Sequence, residues 1–281
     1  MANRQIWIAL FAAFLVTACS VDAAVEDSTE LIPPPIRETF DIADRPVIEH
    51  DGTEDFELLK PWNYEKSWNA GRTYPLVISL HGSGGNHYKP CIVGNNDEMK
   101  RYPCFFFSPT ASSWGGSGDT WVRTRIAALI TDYRIDPNRI YLMGYSMGGS
   151  GSYPFASKCY SEQGVRIAGI VRLAGQSQPQ LDAAIRDKCA VWYHIGLTDT
   201  AARVEIARDA YNRTKTHFGS AVTESVTTDE IDSKPRTTHT LVRNGRHFFK
   251  KSEYTDVGHS PSVPFRDPAV LAWLFSQTLT N

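Results

Sequence analysis

Short apolar runs recur through the middle of the chain, separated by polar stretches of helical spacing. Residues 75–80 (PLVISL), 104–109 (CFFFSP), 140–143 (IYLM), 167–173 and 190–195 (AVWYHI) are near-continuous rather than alternating. Such runs belong to strands covered on both faces, as in a parallel sheet. Residues 121–133 place Val122, Ile126, Leu129 and Ile130 on one helical face, and 147–159, 181–188, 201–217 and 270–279 also read as helices. Pro154 inside 147–159 predicts a kink there, or a late first regular turn, because proline has no amide for the i→i−4 ladder. Residues 39–42 and 56–59 predict antiparallel edge strands, 62–72 a turn-rich connection and 134–139 a turn. Asn244-Gly245, between runs at 238–243 and 247–254, predicts a type I′ hairpin. Strands alternating with helices predict an α/β fold, a mostly parallel central sheet with helices on both faces.

Composition limits the picture further. The chain has 281 residues, 42% of them hydrophobic, which suits one domain over residues 37–281. A formal charge of −2 without a long basic run gives no electrostatic footprint for nucleic acid. The N-terminus reads as a targeting segment. Arg4 precedes an apolar run at 6–16, too short to span a bilayer comfortably but right for a signal sequence. Residues 1–19 end in VTAC, a lipobox-like pattern with Cys19 as the lipidation candidate. Ordinary cleavage, for example after Ala23, is the alternative. Residues 20–36, acidic and then proline-rich, read as a tether. These features predict export, with membrane attachment only through the lipid.

Cysteine usage follows from export. With Cys19 set aside, Cys91, Cys104, Cys159 and Cys189 remain, and an even number in an oxidising compartment predicts two disulfides. Of the three possible connectivities, Cys91–Cys104 closes a short loop and Cys159–Cys189 ties a helix end to a later strand. No C-x₂₋₄-C clip favours a metal site.

The chemistry centres on residues 144–148, GYSMG. This G-x-S-x-G pattern follows an apolar run and precedes a helix-compatible one, the setting of a strand-to-helix elbow that presents a serine, here Ser146. A serine hydroxyl needs a base, and the base needs an orienting carboxylate. Asp199 follows the 190–195 run and precedes a helix, where capping is its other reading. His259 lies just beyond the hairpin, whereas His239 and His247 fall inside strand patterns. Asp182 and Asp187 belong to a short helix, and Asp229 and Asp232 to a polar loop. Oxyanion donors are expected from the backbone of Met147 and of Ser83, in the HGSGG run at 81–85. Only 53 residues separate Ser146 from Asp199 (199 − 146), which leaves no room for a large cap domain and predicts an open site. Trp114, Trp121, Tyr88 and Tyr145 are candidates to line it, with core packing the equal alternative for Trp121.

HGSGG at 81–85, RIYLMGYSMGGSGSY at 139–153, the Asp199 segment and GHS at 258–260 resemble the secreted esterase group of the α/β-hydrolases. That group includes polyhydroxybutyrate depolymerases, feruloyl esterases and acetylxylan esterases. The resemblance covers roughly residues 55–278 and includes IDPNRIY and DPAVLAWLF. It implies ester hydrolysis through an acyl-enzyme, by Ser146, Asp199 and His259, with no metal or organic cofactor. It also implies an ester substrate, possibly polymeric. The chain departs from the group's usual acid segment, having Gly196-Leu197-Thr198-Asp199-Thr200-Ala201-Ala202, and Pro154 is a second departure. A serine peptidase of the same fold and a non-catalytic binding module are the alternatives.

Overall fold

The computed structural model describes residues 47–49, 55–61, 64–85, 101–177 and 180–279. Their centre is a ten-stranded sheet in the order β1-β2-β4-β3-β5-β6-β7-β10-β9-β8. The strands are β1 (Val47–Glu49), β2 (Phe56–Leu59), β3 (Tyr74–Leu80), β4 (Phe105–Pro109), β5 (Ile135–Tyr145), β6 (Gly169–Leu173), β7 (Ala190–Gly196), β8 (Thr223–Ile231), β9 (Lys234–Arg243) and β10 (Arg246–Tyr254). The six strands from β4 to β10 run parallel. Antiparallel pairs, β1-β2 and β9-β8, close the two edges. Every residue of β3, β4, β6 and β7 is buried, which is why their sequences do not alternate.

The helices are α1 (Thr120–Asp132), α2 (Met147–Gln163), α3 (Ala183–Arg186), α4 (Ala201–Phe218) and α5 (Pro268–Phe275). Strand periodicity sends Leu76, Ile78, Ile140 and Leu142 to one face, where α1, α2 and α4 cover them. Val77, Tyr141 and Met143 go to the other face, under α5. Successive side chains on a strand point to opposite faces, so one run feeds both cores.

Several elements differ from expectation. The segment 134–139 is not a turn: Ile135 already pairs with Tyr74, and β5 runs on through a register shift. Helix α2 continues through Pro154 to Gln163 and ends on Gly164 in the left-handed region, φ 69°. The helix expected at 181–188 shrinks to α3. β8 replaces an expected polar loop. Its residues are exposed from Thr223 to Glu230, so it carries no hydrophobic periodicity and exists through pairing with β9. Asp229 faces Arg236 across that ladder, and the two form an ion pair with Nε 2.8 Å from Oδ1. Asn244 and Gly245 both have positive φ, 51° and 75°, as the predicted type I′ hairpin requires.

The Cys159–Cys189 disulfide is not formed. Both are buried free thiols, and they have different neighbours. Cys159 lies near Arg123, Asp119 and Glu162, and Cys189 near Arg246. Burial pushes both thiols up, Cys189 to about 12, so neither is poised to react. Cys91, its expected partnership with Cys104, Cys19, Tyr88, and the 1–19 and 20–36 segments lie outside the described residues. Among the described residues no helix is long and apolar enough to cross a membrane, and no cluster of potential ligands suits a metal ion.

Candidate active site

β5 ends at Tyr145, α2 begins at Met147, and Ser146 between them has φ 55° and ψ −110°. A non-glycine residue there is strained. The amide of Ser146 donates to Leu173 O at 3.1 Å, which ties the elbow to β6. The flanking glycines allow the close approach. A Cβ on Gly148 would lie 2.0 Å from Leu80 O and 2.9 Å from His81 O, and one on Gly144 would lie 2.4 Å from Gly148 O. Both obstacles are backbone and cannot swing aside. Gly148→Ala is therefore expected to cost about 1–3 kcal/mol or more, read as a lower melting temperature and reduced soluble yield.

Three residues far apart in sequence meet here. His259 Nε2 is 2.8 Å from Ser146 Oγ, and His259 Nδ1 is 2.7 Å from Asp199 Oδ2. Asp199 follows β7 and precedes α4. Its backbone amide closes a turn onto Gly196 O. The other oxygen, Oδ1, accepts from the Thr200 amide at 2.7 Å and from Arg203 Nη1 at 2.9 Å. Burial pushes the Asp199 carboxyl up, but the hydrogen bonds from His259, Thr200 and Arg203 outweigh it and hold the group below its ordinary range. Asp199 therefore stays ionised across neutral pH. An ionised Asp199 fixes His259 with its proton on Nδ1, leaving Nε2 to accept a proton from Ser146.

Tyr145 packs on His259 and is not among the described lining residues of the cavity. Its ring lies 4.9 Å from that of His259, and its hydroxyl donates to His259 O at 2.9 Å. Since His259 sits in a loop, this bond sets the height of the imidazole. Tyr145→Phe keeps the ring and loses the bond. It is expected to lower turnover about 3- to 10-fold, the worth of one hydrogen bond, without shifting the melting temperature by more than about 2 °C.

The 81–85 loop is built around His81. Ala111 N donates to His81 Nε2 at 3.1 Å, so the ring proton sits on Nδ1, which donates to Gly82 O at 2.7 Å. The Gly85 amide also donates to Gly82 O. That carbonyl shares a trans peptide with the Ser83 amide, so the Ser83 N–H points away from His81. Gly82 abuts the elbow: a Cβ there would meet Ser146 Cβ at 3.4 Å. Ser83, Ser146 and Met147 line one cavity of about 280 Å³. Met147 opens α2, where backbone N–H groups lack intrahelical partners and the helix dipole is positive.

Trp114 is placed beneath this loop rather than in the cavity. It is 7% exposed, its indole N–H donates to His81 O at 3.0 Å, and its ring meets Phe155 edge-on. The loop bearing it is pinned by the buried Asp119–Arg123 pair, with Gly115 N donating to Asp119 Oδ2. Gly151 and Pro154 of α2 press directly on it. Trp121 packs towards Phe56. Neither tryptophan contributes to the cavity's described lining.

Sequence reasoning missed the rest of that lining: Ser150, Gln176, Ser177 and Arg203. Arg203 was the findable one, because it lies four residues after Asp199 on a predicted helix, a spacing that puts the two side chains together. Ser150 and Ser177 depend on Pro154. Proline has no amide, so Ser150 O lacks its helical donor, and Ser177 Oγ donates to it instead at 3.2 Å. The Gln176 amide donates to Ser150 Oγ.

The sheet order, the elbow and the covering helices define the α/β-hydrolase fold. Comparison with solved structures agrees. A thermostable esterase superposes with a TM-score of 0.59 at 19% identity over 84% of this chain. The match takes in 64% of that esterase, so this chain spans less than two thirds of its length. An acetyl xylan esterase from Aspergillus awamori gives a TM-score of 0.55 at 14% identity, covering 82% of this chain and 98% of that one. A mutant feruloyl esterase module from Clostridium thermocellum, complexed with sinapinate, gives 0.53 at 14% identity, over 82% and 85%. No family model and no curated protein matches the sequence.

Proposed function

We propose that the protein is an exported serine carboxylesterase that works through an acyl-enzyme. The observation that carries this reading is the unbroken hydrogen-bonded line from Ser146 through His259 to Asp199. Ser146 Oγ attacks the ester carbonyl while His259 Nε2 takes its proton. Asp199 orients the imidazole and stabilises its charged form. The N–H groups of Met147 and Ser83 receive the oxyanion. His259 then protonates the departing alcohol, activates a water, and the acid is released. Acetylated or feruloylated polysaccharides and hydroxyalkanoate polyesters are the substrate classes suggested by the sequence resemblance, and the first two also by the names of fold neighbours.

A hydrolysis screen of acetyl, feruloyl and hydroxyalkanoate esters, with a fluorophosphonate probe in parallel, tests the reading. Ester turnover and labelling confined to Ser146 are expected. Amide cleavage without ester preference would favour a peptidase, and absence of both labelling and turnover would favour a binding module. Export through a lipid anchor rests on the 1–19 segment. Palmitate labelling in a bacterial host is expected, and its persistence in Cys19→Ala would remove the anchor at that residue.

A further inference from the structure

Among the described residues Arg203 is the charged group lining the cavity that holds Ser146, and catalysis as derived above does not consume it. Only Nη1 of its guanidinium is engaged, with Asp199 Oδ1 at 2.9 Å and Thr200 Oγ1 at 3.3 Å. Nε is buried without a partner, and among the described residues Nη2 makes no hydrogen bond. An arginine carries five donors in a fixed fork suited to two carboxylate oxygens, so this one is only partly used.

The pair with Asp199 is asymmetric. The Asp199 side chain is 1% exposed and that of Arg203 21%, so the cation is the member that meets the cavity. Its negative partner is shielded behind the three donors on its oxygens. The remaining walls mix polar side chains with apolar surface. Ser83, Ser150, Gln176 and Ser177 line the cavity, and among the described residues Met147 is the one apolar side chain there. Pockets for aliphatic or aromatic groups are built mainly from apolar and aromatic side chains, and the two described tryptophans proposed for that purpose lie elsewhere.

Building on the esterase reading, we infer that the substrate is an ester bearing a carboxylate, and that Arg203 is the residue that selects it. The carboxylate takes Nη2 of the guanidinium, while Nη1 stays on Asp199 and the buried Nε stays out of its reach. Charge-assisted hydrogen bonds of this kind are the strong ones. The same chemistry serves a carboxylate on the acyl part or on the alcohol part of the ester.

Matched pairs test this. For the acyl part, methanol release from monomethyl succinate is compared with that from dimethyl succinate. For the alcohol part, acetate release from 3-acetoxybutyrate is compared with that from its methyl ester. In at least one pair the wild-type protein is expected to favour the acid over the neutral ester in kcat/KM by on the order of tenfold, and the favoured pair shows where the carboxylate resides. Added NaCl should shrink the preference. Arg203→Gln should bring the ratio close to one, and Arg203→Lys should keep part of it. The ratio cancels any effect of Arg203 on the chemical step through Asp199, because both members of a pair use the same Asp199. A wild-type ratio at or below one in both pairs overturns the assignment, as does a preference that survives in Arg203→Gln. If Arg203→Gln is inactive on both members, the wild-type salt series decides, and a salt-independent ratio overturns it. Failure of the esterase reading looks different: no member of either pair is turned over, and this assignment falls with it.

Discussion

Ser146→Ala is expected to lower kcat/KM for every ester the protein hydrolyses by on the order of 10⁴-fold or more, with the melting curve almost unmoved. The two parts of this result have separate physical origins. The hydroxyl is the group whose oxygen enters the acyl-enzyme, so no other atom of the cavity replaces it. The fold, in contrast, draws little from it. The elbow is held by the Ser146 amide on Leu173 O and by the close seating of Gly148 under Leu80, and both survive the change. Steady-state kinetics beside a thermal melt would check it. Wild-type-like activity in the variant would remove Ser146 from the mechanism.

Asp199→Asn is expected to cost about 10⁴-fold in kcat, and the surroundings of this carboxylate explain why. Oδ1 is held by two donors, the Thr200 amide and Arg203 Nη1. An asparagine would keep its carbonyl oxygen there, since its NH₂ group cannot accept from either. The NH₂ would then face His259 Nδ1. That nitrogen would have to become the acceptor, and the ring proton would move to Nε2, opposite Ser146. The imidazole would remain in place but present a donor where a base is required. Crystallography and kinetics on the same variant would test this, with unchanged side-chain positions and collapsed turnover as the expected combination. An intact rate would show that Asp199 does not set the tautomer.

The parallel core and the line of Ser146, Asp199 and His259 could be read from the chain because each has a strong local signature. Continuous apolar runs mark strands buried on both faces. An elbow, an acid after a strand and a histidine after the last hairpin follow a fixed order. What stayed hidden depended on tertiary context. β8 is polar along its exposed length apart from Val226 and takes its conformation from β9. Trp114 in a glycine-rich loop suggested an exposed stacking surface, yet the buried Asp119–Arg123 pair folds that loop down onto α2. Tyr145 was singled out as a lining residue, and sequence does not reveal that its hydroxyl reaches His259 O across 114 positions. The disulfide expectation rested on counting cysteines, and counting carries no information about which way a thiol faces.

One backbone oxygen serves two masters in this design. An alanine at position 154 would restore to α2 the amide it lacks and compete with Ser177 for the carbonyl of Ser150. Selection for heat resistance and selection for substrate fit therefore pull on the same atom in opposite directions, and an engineer who repairs the helix loosens the mouth of the catalytic chamber.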